Sequence, residues 1–212
     1  MPRLFVALPV PPAVQARLAA VQAEVKASGL ALRQARPEGL HLTLAFLGQR
    51  PQGDLLPLSE ALRRAANGRP PFRLSVAGLG AFPGLDRPRV LWAGLTGELH
   101  ALDGLRRAVW NEIEALAIPF QRQPFRPHVT LSRAPGAPGP QEARLLRRIV
   151  AGHPDEPFGE WMASDVHLMQ SELLPDGARY SALAQVALAD SGPAGSQEGS
   201  PGEPGRRGMR AR

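Results

Sequence analysis

The chain has 212 residues, 43% of them hydrophobic, no cysteine, and a formal charge of +6 at pH 7. That length can bury a sizeable core. The absence of cysteine excludes a disulfide framework, a thiolate metal site and a cysteine nucleophile, and it suits a reducing cytoplasm. No apolar run approaches the ~20 residues that span a bilayer. Pro9, Pro11 and Pro12 cut the apolar N-terminus too short for a signal peptide, so a soluble, cytoplasmic protein without membrane contact is expected. Lys26 is the only lysine, and arginine carries nearly all the positive charge. A basic excess suits a phosphate-bearing partner, but a chain rich in Ala, Arg, Gly and Pro reaches it without one.

In chain order, "RLFVALPV" reads as a strand ended by prolines, and Val14, Leu18, Val21 and Val25 recur at helical spacing. "ALRQA" is a possible short strand and "HLTLAFLG" a strand closed by Gly48. A helix over about 53–66 stops at Asn67 and Gly68. "PFRLSVAGLGAF" and "RVLWAGL" are strands joined by the turn-rich "PGLDRP". The longest helix, about 98–116, has a stripe of Leu99, Leu102, Leu105, Val109, Ile113 and Leu116. "PHVTLSRA" is the next strand, and a helix follows with Leu145, Leu146, Ile149 and Val150. Two strands finish the fold, "EWMASDVHLMQSEL" and "ARYSALAQVAL". Residues 191–212 are almost all Gly, Pro, Ser and charge, a composition that cannot offset the entropy of ordering, so a disordered tail is expected after a domain at 1–190.

The sequence writes His-x-Thr-Leu twice, at His41–Thr43 and at His128–Thr130. There are five histidines (41, 100, 128, 153, 167) and three threonines (43, 96, 130). Random placement would produce two such coincidences with odds of roughly 0.2%, which is low for so short a motif. Residues i and i+2 of a strand share a face. Each motif therefore projects a titratable ring and a hydroxyl together, with Leu42, Leu44, Val129 and Leu131 turned to the core. The two copies, each with similar neighbouring elements, predict an α+β fold of two pseudo-symmetric antiparallel β-sheet lobes. Helices lie outside and the motifs face a central cleft.

Two histidines and two hydroxyls suit in-line displacement at phosphorus. One group takes a proton from the attacking oxygen while another gives one to the leaving oxygen. Imidazole does both near neutral pH, because its unperturbed pKa is about 6.5. The hydroxyls can donate to the non-bridging oxygens, where charge builds. No motif of metal-ligand spacing is present, so neither metal nor other cofactor is expected. Arg126, two residues before His128, would share its face in an unbroken strand and could meet a phosphate, although Pro127 intervenes.

At these residues the sequence resembles the two-histidine phosphoesterase superfamily, and within it the RNA 2′,3′-cyclic phosphodiesterases, also called 2′-5′ RNA ligases. "RLFVAL", "PEGLHLTLAFLG", "PRVLWAGL", "PFRPHVTLSR" and "SELLPDGARYSAL" carry the resemblance over most of residues 3–188. It implies a bilobal α+β fold and metal-independent hydrolysis of a 2′,3′-cyclic phosphate, on RNA ends or on cyclic nucleotides, to a 2′-phosphomonoester. It further implies a monomer and, in some members, ATP-independent joining of tRNA halves through a 2′-5′ bond. His41 and His128 would be acid and base, and Thr43 and Thr130 would hold the phosphate. Gly39 stands where asparagine is common, "ALRQARP" lacks an aromatic and "HLMQSEL" lacks a tyrosine, changes that bear on base stacking. The alternative is a non-catalytic RNA-binding module with the same cleft, which intact His and Thr in both motifs argue against.

Among the remaining residues, strand parity puts Phe46 in the core and sends Arg133 outward from the core edge. Trp92, Trp110 and Trp161 read as packing residues, His100 and His153 as surface residues, and His167 as a half-buried structural residue. Gly78 and Gly80 mark a turn or bulge.

Overall fold

The structure is a computed structural model that describes residues 1–174 and 177–189. Its strands are β1 (Arg3–Pro9), β2 (Arg33–Gln34), β3 (His41–Gln49), β4 (Phe72–Phe82), β5 (Val90–Gly97), β6 (His128–Arg133), β7 (Pro157–Ala163), β8 (Asp165–Leu174) and β9 (Gly177–Ala187). The helices are α1 (Pro12–Ala27), α2 (Leu55–Ala66), α3 (Leu99–Ala115) and α4 (Pro140–Gly152). The tail expected at 191–212 lies outside the described residues.

All strand pairs are antiparallel, in the order β7-β4-β5-β6-β3-β1-β8-β9, with β2 on β6. The sheet curls into a half-barrel of two lobes, β3-β1-β8-β9 and β7-β4-β5-β6, whose strands pair with each other through β3 and β6. Each lobe takes strands from distant parts of the chain. α2 and α3 cover the first lobe, whereas α1 crosses to β6 and β7 and α4 lies on β4 of the second. The helix stripes explain this packing. Val14, Leu18, Val21 and Val25 of α1, Leu102, Leu105, Val109 and Ile113 of α3, and Leu146 and Ile149 of α4 are buried in one core with the outward faces of the strands. Pro12 and Pro140 each begin a helix, where the missing N–H costs nothing.

The segment read as one strand, "EWMASDVHLMQSEL", is two. β7 pairs with β4 in one lobe, and β8 pairs with β1 in the other. The break falls at Ser164, whose carbonyl accepts a bond from the Leu188 N–H (2.8 Å) as the chain crosses between lobes. His153 is not a free surface residue. Its Nε2 meets Glu24 of α1 at 2.9 Å and its Nδ1 meets Glu156. Burial lowers its pKa, but its hydrogen bonds to the Glu156 and Glu24 carboxylates outweigh that and raise it. Gly78, at φ +67°, forms the expected bulge in β4, and a Cβ there would press on the Pro154 carbonyl. His100 is exposed, and His167 is more buried than expected at 8% exposure. Among the described residues, no helix is long and apolar enough to cross a membrane.

Candidate active site

The two motif strands meet at a single pair, Leu42 opposite Val129. Both side chains are buried in the core. In an antiparallel ladder the residues flanking such a pair face one another on the opposite side of the sheet. That register sets His41 across from Thr130, and Thr43 across from His128. Opposed side chains start roughly 4.5–5.5 Å apart. Two rings and two hydroxyls thus form a square around a local twofold axis, all four half-buried on the helix-free face.

Both rings are held the same way. His41 Nδ1 lies 2.7 Å from the Gly39 carbonyl, and His128 Nδ1 lies 2.6 Å from the Arg126 carbonyl. A carbonyl oxygen can only accept, so Nδ1 carries the proton in each ring. Nε2 is then the nitrogen left to exchange protons. Arg126 contributes its backbone carbonyl here, while the residue itself is exposed.

Two matched bulges then change the parity of the strands. Ala7 pairs with Thr43 and Val6 with Ala45, so Leu44 is the extra residue in β3. Trp92 pairs with Thr130 and Leu91 with Ser132, so Leu131 is the extra residue in β6. Leu44 and Ala45 are both buried, as are Leu131 and Ser132. Each extra residue aims its carbonyl at a helix side chain. Trp110 Nε1 donates to Leu44 O at 2.9 Å, and Gln22 Nε2 donates to Leu131 O at 2.7 Å. Gln22 is thereby a buried polar residue inside the apolar stripe of α1.

The bulges correct two expectations. Phe46 is 51% exposed and not in the core, because the extra residue Leu44 returns it to the face of His41 and Thr43. Arg133, the equivalent residue in β6, turns the same way, and its charge acts on both histidines. Both residues follow their histidine by five positions, but no pattern in the sequence marks a bulge there.

Aromatic rings enclose each histidine. His41 lies 4.7 Å from Phe5 and 4.9 Å, edge-on, from Tyr180. His128 lies 4.9 Å, edge-on, from Phe82 and 6.3 Å from Trp92. Trp92 therefore lines the site, whereas Trp110 and Trp161 pack on the core as expected. Two glycines make room for these rings. A Cβ on Gly39 would come within 2.8 Å of Tyr180, and one on Gly80 within 2.2 Å of Trp92. Gly80 is thus a contact requirement, and Gly39 clears space beside His41.

The pocket disfavours imidazolium. Burial pushes the His41 pKa down to about 4; the Gly39 carbonyl opposes this, and the charges of Arg133 and His128 add to it. Burial also lowers His128, against the pull of the Arg126 carbonyl and with the help of Arg133. The field around the two rings is positive, which suits an anion. Among the described residues, no three His, Cys, Asp or Glu side chains come together as metal ligands.

Residues 8–92 match the family LigT like Phosphoesterase. The chain is 34% identical over 177 residues to the RNA 2′,3′-cyclic phosphodiesterase of Aeropyrum pernix, covering 83% of this chain and 97% of that one. Among solved structures, the Thermus thermophilus protein TT0787 superposes with a TM-score of 0.71 at 35% identity, over 90% of this chain and all of that one. E. coli LigT complexed with 3′-AMP superposes with a TM-score of 0.69 at 25% identity, over 89% and 99%. The fold and site define a two-histidine phosphoesterase, and the chain belongs to the LigT-like phosphoesterase family.

Proposed function

We propose that this chain hydrolyses the 2′,3′-cyclic phosphate at RNA ends to a 2′-phosphomonoester, with His41 and His128 as base and acid and without a metal ion. The observation that carries the reading is the Leu42–Val129 register, which sets each histidine across from the other motif's threonine. A cyclic phosphate held by Thr43 and Thr130 would have one Nε2 on each side. One Nε2 removes a proton from water as the new P–O bond forms. The P–O3′ bond then breaks, and the other Nε2 gives O3′ its proton. The threonine hydroxyls and Arg133 stabilise the charge on the non-bridging oxygens. Phe46 offers a platform for the terminal base. An RNA 5′-hydroxyl in place of water would yield a 2′-5′ bond without ATP, so paired RNA ends such as tRNA halves are a second substrate class. The relatives named RNA 2′,3′-cyclic phosphodiesterase support the hydrolytic activity. A cysteine-free chain fits a protein acting in the cytoplasm, here as a monomer.

Product analysis in EDTA tests this, using a cyclic mononucleotide and a short RNA with a cyclic phosphate end. Wild type should release only the 2′-phosphate. His41→Ala and His128→Ala should each lower turnover by about 10²–10⁴. Turnover that required added metal, or that survived both substitutions, would overturn the mechanism.

A further inference from the structure

The two ends of the cleft are unlike. From the Leu42–Val129 pair, β3 runs one way to Phe46, and β6 runs the other way to Arg133. At that second end β2 joins β6, with Arg33 directly opposite Arg133. Opposed residues of an antiparallel pair project to the same face, their Cα atoms about 5 Å apart. Arg33 therefore stands on the side of the sheet from which Arg133 acts on the histidines. Both residues are exposed.

Two like charges directly opposed in a ladder are destabilising. Some arginines elsewhere have carboxylate partners: Arg64 has Glu112, Arg106 and Arg107 share Asp103, and Arg147 has Asp86. Arg33 and Arg133 have no ion pair or side-chain hydrogen bond among the described residues. An anion shared by the two would remove the repulsion. A ribonucleotide held at its cyclic phosphate has chemistry to match both ends, with a flat base on one side and, through its 5′ oxygen, the phosphodiester of the preceding nucleotide on another.

We infer that Arg33 and Arg133 form a subsite for the phosphodiester preceding the cyclic phosphate, so that the cleft takes an RNA strand in preference to a free cyclic nucleotide. The inference rests on the proposed activity and gives the bound strand a direction, its last base toward Phe46 and its upstream backbone toward β2. Because the contact is to phosphate, it carries no sequence information.

The test compares a cyclic mononucleotide with dinucleotides ending in a 2′,3′-cyclic phosphate, which add one phosphodiester. Arg33→Ala should lower kcat/KM on the dinucleotides about tenfold more than on the mononucleotide, whatever the added base. Arg33→Lys should restore part of that difference. For the dinucleotides, the slope of log affinity against log salt should shrink by roughly 0.7. Equal losses on both substrates, no loss on either, or a loss that depends on the added base would overturn the subsite. If wild type turned over neither substrate, the activity reading would fall. Affinities for the dinucleotide and mononucleotide 2′-phosphates would then decide the subsite by the same ratio.

Discussion

The two motif strands, β3 and β6, share more than their motif. Each anchors its histidine through Nδ1 on the carbonyl two residues before it, each inserts an extra leucine after its threonine, and each passes that leucine's carbonyl to a helix. They differ in what the bulge delivers to the cleft, which is an exposed phenyl ring in β3 and a guanidinium in β6. On the proposed reading, the difference teaches that the paired chemistry is symmetric and the recognition is not. In-line displacement needs matching groups on both sides of phosphorus. A nucleotide is lopsided, with a base at one end and charge at the other.

The sharpest way to break this comparison is to remove one hydroxyl at a time. Thr43→Val and Thr130→Val should each lower kcat about a hundredfold, the usual scale for one donor at a developing oxyanion. Saturation kinetics would show losses within a few-fold of each other. A loss confined to one threonine would mean that the phosphate sits off the twofold axis.

Exchanging the unlike residues for alanine separates recognition from proton transfer. Phe46→Ala should raise KM about tenfold, the scale of one stacked base, and leave the pH profile of kcat/KM in place. Arg133→Ala should move that profile. In the wild type, burial and Arg133 favour the neutral rings, so both pKa values lie below the usual histidine value. The optimum should accordingly fall on the acid side of about 6.5. Removing a nearby positive charge favours imidazolium, so both limbs should shift to higher pH. A profile unmoved by Arg133→Ala would place its charge too far away to act on the reaction.

The smallest effects concern the bulges. Trp110→Phe leaves the buried Leu44 carbonyl without its side-chain donor and should cost about 1–3 kcal/mol. Gln22→Leu should cost a similar amount: the Ala35 N–H still donates to the Leu131 carbonyl at 2.8 Å, but the Ala35 carbonyl also loses its Gln22 donor at 2.8 Å. Denaturant midpoints would compare the two, and a large gap between them would break the equivalence of the bulges.

How much of this was legible in the sequence depends on whether a feature is local. The His-x-Thr spacing is local, because side chains two apart in a strand share a face whatever surrounds it. The stripes of α1, α3 and α4 were legible for the same reason, since 3.6-residue periodicity needs no partner. Leu99 is the exception, 38% exposed at the first turn of α3. The change of face at Phe46 and Arg133 was not legible. A bulge arises from a count of residues on two strands at once, and neither strand encodes that count alone. Gln22 reads as an interruption of an apolar stripe until the Leu131 carbonyl across from it is known. Trp92 reads as core until Gly80 is seen beneath it.

By itself, the sequence determined the elements, the α+β class, and the two pairs of groups that can perform acid–base chemistry on a phosphate. These follow from periodicity and side-chain chemistry along the chain. Only the tertiary structure decided that β7 and β8 serve different lobes and that Leu42 meets Val129. It alone decided that each histidine faces the other motif's threonine, and that a phenyl ring and two arginines hold opposite ends of the cleft. Those choices are made between strands, where hydrogen-bond register and shared burial select among pairings that any one segment would accept equally.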